Sequence, residues 1–61
     1  MHTITLYLRN NEWLSRHSDP EVRRLFGTDT IPTPYTGKST AATILERIRA
    51  LNPDRLVEVY E

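Results

Sequence analysis

Gly37-Lys38-Ser39 stands directly before a helical pattern, and these residue types close a phosphate-binding loop. There, backbone N–H groups cradle phosphate oxygens, the lysine neutralises charge and the hydroxyl reaches a metal. The complete pattern needs a glycine five positions before Gly37. That position is Pro32, which has no N–H to donate. Helix capping accounts for the residues more simply, although free N–H groups and Lys38 could still converge on a bare anion. His17-Ser18-Asp19 contains the residue types of a hydrolase triad. Adjacent side chains cannot converge as nucleophile, base and orienter must, so capping is again the better account. His2 and His17 lack a third ligand, and a chain without cysteine has no thiolate to add. Glu12, Asp19, Glu21, Glu46, Asp54 and Glu58 scatter over different segments and form no acid–base pair. The expectation is a protein with no catalytic residue, no cofactor and no metal.

The elements that must position these residues are legible as periodicities. Thr3 to Arg9 alternates: Ile4, Leu6 and Leu8 point one way, Thr3, Thr5, Tyr7 and Arg9 the other. This is the pattern of a half-buried strand. Asn10-Asn11 suits a two-residue hairpin turn, because Asn tolerates positive φ. The return strand, Glu12 to Arg16, then pairs Arg9 with Glu12, Leu8 with Trp13 and Tyr7 with Leu14, and Ile4 would face His17. Ser18-Asp19-Pro20-Glu21 starts a short helix, either as a capping box from Ser18 or with Asp19 as cap and Pro20 first in the helix. Val22, Leu25 and Phe26 form its apolar stripe, Arg23 and Arg24 its solvated side, and Gly27 its stop.

Thr28 to Ser39 reads as a long loop of Thr, Pro and Gly, in which Pro32 and Pro34 push their preceding residues toward extended conformations. It is expected to be a tether with Ile31 and Tyr35 plugging the edge of the core, or else a recognition loop. Thr40 to Asn52 is the longest periodic segment. Ala41, Ile44, Leu45, Ile48 and Leu51 share one helical face, which should bury its large aliphatic side chains. Ordering backbone costs about 1–2 kcal/mol per residue, so this helix needs a sheet beneath it. Pro53 ends it at Asn52. Leu56 to Tyr60 is the last strand. The chain is therefore expected to be a single small α+β domain over residues 1–61. Its order is β-β-α-α-β: a three-stranded sheet of hairpin plus C-terminal strand, the first strand central, with two helices on one face. If the helices run antiparallel, the last strand lies parallel to the first.

Such a sheet leaves one face bare. Tyr7, Arg9, Leu14, Arg16, Leu56, Glu58 and Tyr60 would share it with Glu12. Two functions from different classes follow. Contiguous apolar groups with charges of both signs fit a non-catalytic association module that pairs as a homodimer or holds another protein. Tyr7, Arg9, Arg16 and Tyr60 alternatively fit the stacking and phosphate chemistry of a single-stranded nucleic-acid binder. Glu12 and Glu58 on the same face disfavour nucleic acid, as does the formal net charge of +0. With 61 residues the core must be small, which also favours association. The N-terminus has no basic region followed by an apolar run, and no stretch approaches a membrane span. A cytoplasmic protein with no membrane partner is the expectation.

Overall fold

A computed structural model describes residues 2–60; Met1 and Glu61, included in the expected 1–61 domain, lie outside the described residues. Six elements follow in order: β1 (Thr3–Arg9), β2 (Glu12–His17), α1 (Pro20–Phe26), β3 (Thr30–Thr36), α2 (Ala41–Leu51) and β4 (Leu56–Val59). The strands form a four-stranded sheet in the order β3-β2-β1-β4. The fold is α+β as expected, but the sheet has one strand more.

The hairpin has the expected register. Arg9 lies opposite Glu12, Leu8 opposite Trp13, Tyr7 opposite Leu14 and Ile4 opposite His17. Asn10 and Asn11 both take positive φ, 51° and 62°, the conformation that lets a two-residue turn follow the twist of its strands. β4 runs parallel to β1, pairing Ile4 with Val57 and Leu6 with Val59.

The additional strand corrects the reading of Thr28 to Ser39 as a loop. β3 pairs antiparallel with β2, setting Arg16 against Thr30, Ser15 against Ile31 and Leu14 against Pro32, with an irregularity between Glu12 and Leu14. Prolines are tolerated because β3 is an edge strand. Pro32 and Pro34 are two apart, so their missing N–H groups fall on the same side, and the regular pairing with β2 is kept at residues 30–32 and 36 and lost across 33–35. The Thr33 hydroxyl also donates to the Trp13 carbonyl, 2.7 Å away. Tyr35 packs against the core from within this strand.

The core consists of Ile4, Leu6, Trp13, Ile44 and Val57, with Tyr35, Ala41, Leu45, Ile48 and Val59 packed around it. The Trp13 indole N–H donates to the Ser39 carbonyl at 3.2 Å. α2 thus covers the Ile4/Leu6 face. Its buried stripe ends sooner than its periodicity: Ile44 is fully buried, but Leu51, in the last turn, is 74% exposed.

α1 does not join α2 on that face, which corrects the second expectation. None of its residues is buried, and Leu25 and Phe26 face water. Seven residues give two turns, too few to form a packed layer without neighbours. Asp19, not Ser18, is the cap: its carboxylate accepts from the Glu21 N–H at 2.9 Å, and Pro20 is the first helical residue. Ser18 instead accepts from the Thr3 N–H at 2.7 Å. Gly27 ends the helix with φ 76°. Among the described residues no helix is long and apolar enough to cross a membrane.

Candidate association surface

The pleat places Thr3, Thr5, Tyr7 and Arg9 opposite the core side of β1. Carrying the registers across the sheet puts Tyr7, Arg9, Leu14, Arg16, Leu56, Glu58 and Tyr60 all on that uncovered face. The face is ordered in rows. Pro32, Leu14 and Tyr7 are successive cross-strand neighbours. Tyr60 extends this row, since its N–H donates to the Leu6 carbonyl at 2.8 Å and brings it alongside Tyr7. The result is an apolar row from β3 across β2 and β1 to the residue after β4, exposed at Pro32 and Tyr60 and half-buried at Leu14 and Tyr7. One flanking row runs Thr30, Arg16, Thr5, Glu58; the other runs Thr36, Glu12, Arg9. Leu56 lies beside Thr3 at the end of the sheet and is 50% exposed, while Tyr60 is 72% exposed.

Three of these residues, Tyr7, Arg16 and Tyr60, also line a concavity of about 740 Å³. Thr3 and Thr5 line it too, and Pro20 and Arg23 of α1 share that lining, so α1 borders the open face at the end where β1 begins. Arg9, Leu14, Leu56 and Glu58 lie outside the concavity. The expected set omits Pro32, Arg23 and Asp29. Pro32 was hidden by its apparent loop, and the side on which α1 lies has no sequence signal. Arg16 is held only loosely, its Nε 3.8 Å from the Asp29 carboxylate, with the Arg16 side chain largely in water and Asp29 half-buried. Such a pair contributes about 0–1 kcal/mol.

A polar cluster closes the α1 end. Asp19 accepts from Arg55 at 2.9 Å, and the His2 Nε2 lies 3.9 Å away. The Glu21 N–H bond, foremost, holds the Asp19 carboxyl below its usual range; Arg55 and His2 act the same way against the opposing effect of desolvation. His17 Nε2 is 3.0 Å from the Ser15 hydroxyl. Serine beside histidine suggests a nucleophile and its base, but the proton runs the wrong way. The single Ser15 proton goes to the Ile31 carbonyl at 3.1 Å, so His17 Nε2–H must be the donor to Ser15. Ser15 is also buried. Burial, then the Arg55 charge, lower the His17 pKa against the opposite pull of Asp19 and Asp29, and its Nδ1 is buried without a hydrogen-bond partner.

The phosphate-loop residues are likewise committed within the chain. The Gly37 N–H donates to the Asn11 carbonyl at 3.1 Å and the Ser39 N–H to the Thr36 carbonyl at 3.0 Å. The Lys38 N–H meets the Thr36 hydroxyl at 3.3 Å. Thr40 caps α2. A Cβ at 37 would press on the end of the Asn11 side chain, which would have to turn aside. Among the described residues no group of three or more His, Asp or Glu side chains converges as a metal site would need. The chain matches no family model, no curated protein and no solved structure.

Proposed function

We propose that this chain is a non-catalytic association module that pairs with a second copy of itself through its uncovered sheet face. The observation that carries this reading is the stripe Pro32–Leu14–Tyr7–Tyr60, which crosses the whole sheet with charges of both signs on either flank. Apolar groups made contiguous in this way mark contact surfaces. Size supports it: five buried apolar residues make a small core, and stacking a second sheet on the stripe would enlarge the core available to each copy. Arg9, Glu12 and Glu58 make no ion pair among the described residues, so a copy of the same face can satisfy them. Glu12, Glu58 and Asp29 around the same surface weigh against a nucleic-acid backbone as the occupant.

Sedimentation of the purified chain across a wide concentration range tests the reading. A mass that rises from monomer to dimer with concentration is expected. A strict monomer at high micromolar concentration would remove self-association and leave a different protein as the candidate occupant of the face.

A further inference from the structure

The uncovered face is asymmetric along its strands, and that asymmetry restricts how two copies can meet. At the end where β1 begins, the α1 residues Pro20 and Arg23 share a concavity with Thr3, Thr5 and Tyr7. At the other end stand short turns, Asn10-Asn11 and the Gly37–Ser39 turn whose Gly37 N–H bonds to the Asn11 carbonyl. Two sheets stacked face to face about a two-fold axis have two simple settings. With the axis parallel to the strands, like ends coincide and α1 of one copy is driven against α1 of the other. With the axis across the strands, along the apolar stripe, the raised end of each copy meets the low end of its mate.

Charges of opposite sign also meet in this setting. An axis along the stripe lays stripe on stripe and superposes the row Thr30–Arg16–Thr5–Glu58 on the row Thr36–Glu12–Arg9 of the second copy. Arg16 then lies opposite Glu12 of the second copy, and symmetry makes the pair twice. Arg9 of the second copy falls opposite Thr5, next to Glu58. The hairpin tip enters the concavity beside Arg23, which makes no ion pair among the described residues. The loose 3.8 Å contact of Arg16 with Asp29 leaves its guanidinium free to turn toward a carboxylate.

We propose that two copies pack with antiparallel strands about an axis along the Pro32–Leu14–Tyr7–Tyr60 stripe, the β1–β2 hairpin of each seated in the concavity under α1 of the other. This rests on the self-association reading above and names the geometry of the partner. A charge exchange tests it. Glu12→Arg alone sets Arg against Arg16 twice, and Arg16→Glu alone sets Glu against Glu12 twice. Each should weaken dimerisation by about tenfold or more. Mixing the two variants restores one original and one exchanged pair, so a heterodimer of near wild-type affinity is expected. Circular dichroism of each variant verifies its fold.

A second measurement leaves the interface charges intact. A spin label on Asn11→Cys, in an otherwise cysteine-free chain, is mixed with isotope-labelled wild-type protein. It should broaden the amides of residues 21–26 in the other copy. A wild-type dimer in which mixing restores nothing and α1 is not broadened would overturn the geometry while leaving self-association standing. A wild-type monomer would overturn both.

Discussion

Asp19 holds three stretches of chain at one point: it caps α1 through the Glu21 N–H, receives Arg55 from the turn before β4, and lies near His2. Asp19→Ala should therefore lower the melting temperature and loosen α1 together with the start of β4, measured by amide exchange in both segments. Its neighbour His17 gives the fold a pH dependence of definite sign. The folded His17 pKa lies below its ordinary value of 6.5, so the unfolded chain binds more protons in that window. The stabilisation is complete above pH 6.5 and is lost as pH falls through the folded value. Asp19, also lowered, contributes fully above its ordinary 3.8 and loses that contribution as pH falls through its folded value. Thermal melts should show a midpoint that is steady near neutrality and starts to decline below about pH 6.5. His17→Gln should flatten that first decline. A wild-type midpoint that is flat or rising from pH 6.5 to 5 would contradict this account of the imidazole.

The two helices do different work, and substitutions can separate them. α2 seals the core with Ile44, which touches no water, whereas Leu51 in its last turn is 74% exposed. Ile44→Ala should cost about 2–5 kcal/mol of unfolding free energy, enough to threaten a domain of this size. Leu51→Ala should stay within about 0.5 kcal/mol. Urea unfolding of both variants checks the contrast; equal losses would mean that α2 packs along its entire apolar stripe. The hairpin, its turn and its register were legible in residues 3–16, because alternation and the Asn-Asn turn are local properties. The ends of α2 were legible for the same reason. β3 was not, because Pro32 and Pro34 forbid a central strand and are silent about an edge one.

For the molecule as a whole, the uncovered face is what remains once α2 has covered the other. Tyr7 sits in the middle of the apolar stripe, between Leu14 and Tyr60, so Tyr7→Asp would bury an unpaired carboxylate in a stacked dimer. Sedimentation should show that variant as a monomer at concentrations where the wild type is dimeric. A dimer indifferent to the change would use a different surface, such as an exposed strand edge. The same face can be challenged with mixed single-stranded oligonucleotides at low and moderate salt. No micromolar binding is expected. Micromolar affinity with a steep salt slope, lost in Arg9→Ala or Arg16→Ala, would instead make it a nucleic-acid surface.

Strand alternation, the Asn10-Asn11 turn, the Asp19-Pro20 helix start, the Gly27 stop and the Asn52 ending of α2 all lie within a few residues of the groups that cause them. Dihedral preference, capping and hydrophobic period act at that range, so the chain carries these features in itself. All seven expected face residues lie on one face because side-chain parity passes through every register once the pairings are known. What required the folded chain was which segment pairs where. β3 is a strand because β2 offers it an edge, and α1 borders the open face with Leu25 and Phe26 left in water. The concavity with Arg16 and Arg23 exists because residues distant in sequence meet there. Long-range pairing decides such matters, and no local window of sequence contains it.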